Sequence, residues 1–127
     1  MQVSTIRKYL LNDVELKGLL NNKNAIYLVE KSNEEDFIPY IVMFYKPLNG
    51  GIIKDYQFEF RVIGEDLSQL IPIQERLIKL LDDPQNRLII KDENTTIRQT
   101  KLLNGGGFTK NPDTGNFEAI VFFLLKI

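Results

Sequence analysis

Cysteine, histidine and tryptophan are all missing from this 127-residue chain. Without cysteine no disulfide can hold the fold, so its stability must come from packing. Without histidine the chain lacks the commonest general base at neutral pH, and without either residue the usual zinc and haem sites cannot be built. No serine lies in a G-x-S-x-G setting. We therefore expect a protein that is not an enzyme and that binds no cofactor.

The chain also lacks an excess of charge of either sign, because 16 Lys/Arg residues are interspersed with 17 Asp/Glu residues for a formal net charge of −1. A protein whose main ligand is a phosphate backbone normally concentrates positive charge on one surface. This pattern argues against nucleic acid as the main partner. No apolar run approaches the roughly 20 residues of a membrane span, and the N-terminus does not resemble a signal peptide, so we expect a cytoplasmic protein without a membrane partner.

Hydrophobic residues make up 43% of the chain and charged residues 26%, as is typical of a globular domain. Apolar periodicity predicts a helix over residues 3–20 that Asn12-Asp13 interrupts, and a second helix over residues 66–82 that Asp66 caps. Because Pro72 lies in the second turn of that helix, we expect a kink or a later start near Leu70. Strands are predicted at residues 26–30, 39–45, 55–63, 87–91, 96–103 and 117–127.

These elements predict an α+β fold over residues 1–127, with a mainly antiparallel sheet of about five to six strands and two helices packed on one face. Sequential strands are expected to pair antiparallel with their neighbours. The closing strand is apolar on both faces from Ala119 to Leu125. Two interpretations stay open for it: a central strand inside the domain, or a strand with one face covered by another subunit.

A long loop is predicted from Asn104 to Asn116, and it opens with three consecutive glycines. A phosphate-binding loop is excluded, because no Gly-Lys-Ser/Thr continuation opens a helix after them. The glycines favour either a mobile hairpin arm or a plain flexible loop. The segment Asn111–Gly115 resembles a calcium loop only superficially, since it lacks the alternating acids and the final glutamate.

Paired acids could form an oxygen-only Mg²⁺ or Ca²⁺ site if the fold brought them together. We interpret them instead as solvated turns and helix caps. They are Glu34-Glu35-Asp36, Glu65-Asp66, Asp82-Asp83 and Asp92-Glu93.

The order of the elements and several local segments resemble the small tail-completion and tail-terminator proteins of long-tailed bacteriophages and prophages. The segments are Ile6–Leu11 followed by Val14–Leu16, Ile38–Val42, Asp55–Gly64 running into a helix that ends Leu77–Leu81, and Asp113–Phe117 before the apolar closing strand. The resemblance implies a ring, often of six subunits, that caps the head-proximal end of the tail tube and joins it to the head. Its partners would be copies of itself, the tail tube protein and the head-tail connector protein, with DNA passing through the channel.

Such a protein would occupy the host cytoplasm during assembly and then the virion tail. Expected oligomer or partner contacts are Phe117, Ile120, Phe122 and Leu124 in the closing strand, Gly105, Gly106, Gly107 and Phe108 in the glycine-rich segment, and Asn49, Gly50 and Gly51 in an earlier loop. The alternative is a cytosolic oligomeric binding or adaptor module with weak nucleic-acid contact. Its modest basic surface would comprise Arg87, Lys91, Arg98, Lys101 and Lys110.

Overall fold

The computed structural model describes residues 2–29, 38–52, 54–83, 90–91 and 95–127. Within these ranges the chain forms three helices, α1 (Gln2–Leu11), α2 (Val14–Leu19) and α3 (Leu67–Leu81). The same ranges contain seven strands, β1 (Ile26–Leu28), β2 (Tyr40–Pro47), β3 (Asp55–Gly64), β4 (Ile90–Lys91), β5 (Thr96–Ile97), β6 (Gln99–Lys110) and β7 (Phe117–Lys126). No described helix is long and apolar enough to cross a membrane.

Five of the strands form one sheet in the order β1-β2-β3-β7-β6, while β4 and β5 form a small separate pair. All neighbours in the large sheet are antiparallel except β1 and β2. The predicted α+β class with a mainly antiparallel sheet is therefore confirmed. The antiparallel pairing expected for β1 and β2 is wrong, because the two strands pair in parallel from Ile26 with Ile41 to Leu28 with Met43; only antiparallel neighbours can be joined by a tight hairpin, and the sequence between these two strands is longer than one.

The last strand lies between β3 and β6, so β7 is central. Its alternate side chains Ala119, Val121, Phe123 and Leu125 are fully buried and share one cluster with the apolar faces of all three helices. Aromatic packing ties β7 to β3, since the Phe60 and Phe123 rings meet edge to face with centroids 5.6 Å apart. The helices therefore cover one face of the sheet, which we call the inner face.

The predicted interruption of the first helix is confirmed, because α1 ends at Leu11 and Asp13 caps α2. The Asp13 Oδ2 atom accepts a hydrogen bond from the Leu16 amide at 2.9 Å. The same carboxylate accepts two further bonds from the guanidinium of Arg76 on α3, at 2.8 Å from Nε and 2.7 Å from Nη2. Arg76 also contacts Glu15 at 2.8 Å. One carboxylate thus caps the start of α2 and joins α2 to α3.

The predicted cap of the other helix is also confirmed, because Asp66 Oδ1 accepts from the Gln69 amide at 3.1 Å. Gln69 in turn accepts from the Glu65 amide through its side chain at 2.8 Å. These bonds determine the first turn, so α3 begins at Leu67 and runs through Pro72. A later start near Leu70 is therefore wrong.

The predicted loop from Asn104 to Asn116 is largely wrong, because β6 continues to Lys110 and only residues 111–116 form a turn. Register shifts at Leu103 and Gly106 mark two bulges that let the glycine-rich segment stay paired with β7. The chain thus forms a hairpin here. The predicted strand 87–91 is described only at residues 90–91, and Arg87 and the acids at 34–36 and 92–93 lie outside the described residues.

Replacing Thr100 by valine is expected to stabilise the protein. Thr100 is 3% exposed, and its hydroxyl oxygen has no hydrogen-bond partner among the described residues. Because valine has nearly the same shape without the desolvated hydroxyl, we expect a gain of about 1 kcal/mol in the free energy of unfolding. Denaturant unfolding of Thr100→Val measures it, with Thr96→Val at an exposed position as the control that changes nothing. A loss of stability in Thr100→Val would contradict the description of the Thr100 hydroxyl as buried without a hydrogen-bond partner.

The ion pair between α2 and α3 is expected to make stability depend on acid pH. The Arg76 side chain, bonded to Asp13, lowers the pKa of that carboxyl below its ordinary value of 3.8. A lowered native pKa stabilises the fold above the unfolded-state pKa, and this contribution is lost as the pH falls through the native value. The melting temperature of Asp13→Asn should therefore lie below that of the wild type at neutral pH and converge with it in acid.

Asp66→Asn is the matched control, because Asp66 also caps a helix and the described residues include no arginine bound to it. Asparagine is an equally good N-cap, so this variant should lose less stability at neutral pH than Asp13→Asn. Equal losses in the two variants would show that the negative charge at a helix start, and not the ion pair with Arg76, accounts for the effect.

Candidate functional site

The candidate site is the sheet face opposite the helices, which we call the outer face. On β7 it presents Ile120, Phe122 and Leu124, which alternate with the fully buried inner residues and remain half-buried. None of the described helices packs there, since their buried apolar residues all belong to the inner cluster. The central position of β7 explains why its inner face is apolar but leaves the apolar outer face unaccounted for.

Polar residues flank this apolar stripe on β3. Glu59 on β3 lies opposite Phe122, and Arg61 lies opposite Ile120. These two polar residues form an ion pair at 2.5 Å, and the Arg61 guanidinium lies 4.9 Å from the ring centre of Phe44 on β2. An apolar centre with a polar rim is the usual anatomy of a protein–protein interface.

Gly106 lies directly against this stripe. A Cβ atom on Gly106 would lie 2.9 Å from Ile120 Cγ2 and 3.2 Å from Phe122 Cε2, closer than neighbouring carbon atoms pack. Gly107 has a φ of +83°, a conformation that side chains other than glycine rarely adopt. Two of the three glycines therefore have structural roles, in addition to any role in docking.

Phe117 and Phe108 do not belong to the outer face. By strand alternation, Phe117 lies on the inner side of β7, where it packs against the core cluster, with Lys110 Nζ 5.4 Å from its ring centre. Phe108 pairs with Ala119 on the same inner side and is 46% exposed at the sheet edge. The four residues predicted on the closing strand therefore divide, three on the outer face and one on the inner.

The β2–β3 loop, residues 48–54, is closed by its own hydrogen bonds. Asn49 Nδ2 donates to Asp55 Oδ2 at 2.8 Å, and the Asp55 amide donates back to Asn49 Oδ1 at 3.1 Å. Gly51 has a φ of +135°, whereas a Cβ on Gly50 would meet nothing within 4 Å. The loop lies at the end of the sheet where β7 finishes, because Asp55 pairs with Lys126.

The turn at residues 111–116 lies at the opposite end of the sheet, where β7 begins. Asn111 Oδ1 accepts from the Asp113 amide at 2.9 Å, and the Asn111 carbonyl accepts from the Gly115 amide at 2.8 Å. Gly115 has a φ of +76°. This is a hairpin turn with internal caps. In the described part of the chain, no group of three or more acidic residues is arranged to hold a metal ion.

The basic residues of the alternative interpretation do not form one described patch. Lys101 pairs with Leu124 near the start of β6, whereas Lys110 pairs with Phe117 at its far end. Lys91 lies on the separate β4–β5 pair. Arg87 lies outside the described residues.

The geometry defines an α+β fold. Helices cover one face of a five-stranded sheet, and the central strand of that sheet presents apolar residues on the other face. No protein family matches the sequence, and no curated protein matches it. Among solved structures, the fold is similar to a chain in a structure described as the virion of a native gene transfer agent particle. The TM-score is 0.73 over 95% of this chain and 90% of that chain, at 11% sequence identity. At this identity the likeness establishes a shared fold.

The close approach of β6 to the outer face predicts that Gly106→Ala destabilises the protein. The added methyl group would overlap Ile120, and overpacking of this kind costs about 1–3 kcal/mol. Gly50→Ala is the matched control, because its methyl group would enter open space. Urea unfolding compares the two variants, and equal stability would contradict the packing described for Gly106.

Proposed function

We propose that this protein is a structural component of a phage or prophage tail, where it forms a ring that caps the head-proximal end of the tail tube and joins it to the head. The observation that carries the proposal is the fold shared with a chain of a gene transfer agent virion, over nearly the whole length of both chains. That particle is phage-like. The resemblance of the sequence to tail-terminator proteins supports the same role independently.

The electrostatics support a role in assembly rather than in chemistry. Strongly perturbed carboxyl pKa values in a cleft often mark catalytic groups. Here the described carboxyls with a displaced pKa are Asp13 and Asp66, and hydrogen bonding to each lowers its pKa at the start of a helix. Both values thus have a structural cause. We therefore propose that the protein acts through its surfaces.

A ring subunit between a tube and a connector needs contacts of three kinds. Two unlike surfaces must join neighbouring subunits head to tail, and two further surfaces must face the partners above and below the ring. The half-buried apolar stripe on the outer face suits a subunit contact. The β2–β3 loop and the turn at residues 111–116 project from opposite ends of the sheet, as axial contacts to the tube and the connector require.

The sharpest test is capping of purified tail tubes, observed by negative-stain electron microscopy. We expect wild-type protein to bind one end of each tube as a ring. Leu124→Asp should abolish ring formation, because it places a charge in the apolar stripe. Val14→Asp is the matched control, since Val14 is 87% exposed on α2, away from the sheet.

Two results would overturn the proposal: folded wild-type protein that leaves tubes uncapped at high concentration, or a Leu124→Asp variant that caps as well as the wild type. Salt-sensitive binding of the free protein to short DNA would instead support the alternative adaptor role, because such binding reports neutralised phosphates. In the proposed role the protein occupies the host cytoplasm during assembly and the virion tail afterwards.

A further inference from the structure

The two edges of the sheet differ in how their backbone groups are satisfied. On the β1 edge, Arg7 Nε donates to the Ile26 carbonyl at 2.8 Å. At the start of β6, Asp82 Oδ1 accepts from the Leu102 amide at 3.0 Å, and the Thr100 carbonyl accepts from the Asp83 amide at 3.0 Å. These side chains and this helix end occupy positions that another strand would need.

From Leu103 to Lys110 the situation is different, and we call this segment the open edge. Every residue in it is exposed, and the backbone pairing described for it is with β7. A strand edge of this kind presents free N–H and C=O groups to any other strand. Side chains and a helix end thus occupy the edge at Ile26 and along the first part of β6, whereas no described strand other than β7 pairs with the open edge.

Apolar side chains border the open edge on its inner side. Phe108 is exposed there, and Leu67 and Ile71 are exposed on α3. Gln74, the next residue of the same helix stripe, lies beside Gly105, with its Nε2 atom 3.7 Å from where a Cβ would be. The stripe therefore runs along the open edge and would contact whatever strand binds it.

We propose that the open edge binds the same segment of a second copy, antiparallel and around a two-fold axis, so that two five-stranded sheets become one continuous sheet. The charges at the two ends of the open edge identify a second copy as the partner. The edge has a lysine, Lys110, at one end and two acids, Asp82 and Asp83, next to the other end. Antiparallel pairing brings each lysine next to the acids of the other copy, and the two-fold axis makes this contact twice.

The glycines suit the same arrangement. The midpoint of the open edge falls between Gly106 and Gly107, so a two-fold axis there pairs Lys110 with Leu103 of the second copy. It also sets Phe108 opposite Gly105 of that copy, where the aromatic ring can cover the bare backbone. The bulge at Gly106 lies near this midpoint, and the two strands would therefore bend at nearly the same place.

This contact goes beyond the proposed function. An isologous contact closes at two copies and cannot build a ring, which needs two unlike surfaces. It concerns the free protein, whose open edge would otherwise pair with unrelated strands. Its test uses free protein only, so its failure is distinguishable from a failure to cap tubes.

Sedimentation equilibrium of four samples tests the pairing: wild type, Lys110→Glu, Asp83→Lys, and an equimolar mixture of the two variants. Each variant alone should dimerise about tenfold more weakly than the wild type, because two attractive pairs become repulsive. The mixture should recover dimerisation close to that of the wild type. In the mixed dimer, each introduced charge meets its opposite and the native lysine meets the native aspartate.

Lys8→Glu is the control, because it reverses an exposed charge on α1 and should leave dimerisation unchanged. A wild-type protein that stays monomeric up to about 100 µM, far above the micromolar dissociation constants typical of modest interfaces, would overturn the proposal. A mixture no tighter than its components would overturn it as well.

Hydrogen exchange of the wild type tests the pairing without any substitution. Amides of residues 103–110 should exchange more slowly in concentrated than in dilute solution, while those of β3 should not change. Exchange of residues 103–110 that is independent of concentration contradicts the pairing.

Discussion

The structure depends on the position of β7, a strand that is apolar on both faces and hydrogen-bonded on both edges. Its inner residues, among them Val121 and Phe123, are fully buried and hold the three helices against the sheet. Its edges join β3 to β6, so the hairpin and the central strands form one unit. The outer residues Ile120, Phe122 and Leu124 then necessarily face away from the helices. Burying the inner face therefore creates the surface that we assign to assembly.

Local signals in the sequence predicted local structure well. The pair Asn12-Asp13 and Asp66 could be recognised as cap candidates because a cap bonds to an amide only a few residues ahead, and alternation identified β3 because one of its faces is apolar. Long-range pairing could not be predicted in this way. The place of β7 between β3 and β6 joins segments far apart in the chain, and the parallel direction of β1 relative to β2 is not encoded in the pattern of either strand alone.

The glycine-rich segment shows a different limit of sequence reasoning. Three consecutive glycines are typical of a loop, yet here they belong to β6, because Gly106 lies where a side chain would collide with Ile120 and Phe122. The requirement for glycine at position 106 comes from a neighbouring strand, so no local sequence pattern indicates it. The closing-strand candidates were grouped as one surface, but Phe117 lies on the face opposite Ile120, Phe122 and Leu124. The apolar character of the outer side of β7 could be anticipated, since apolarity on both sides of one strand is visible in the sequence.

In the proposed roles, different surfaces of the protein make contacts in the assembled and in the free state. In a ring the outer face would join neighbours, and the two ends of the sheet would face the tube and the connector. In solution the open edge would pair two copies through a contact that closes on itself.

Covering of the outer face on assembly is measured most directly by thiol labelling, since the chain has no native cysteine to interfere. A cysteine introduced as Leu124→Cys reports on the apolar stripe, and Val14→Cys reports on an exposed helix position outside it. In the free protein both thiols should react with a small maleimide. In assembled particles the thiol at position 124 should become protected while that at position 14 still reacts. Equal reactivity at position 124 in the free and assembled protein would contradict the role assigned to this face.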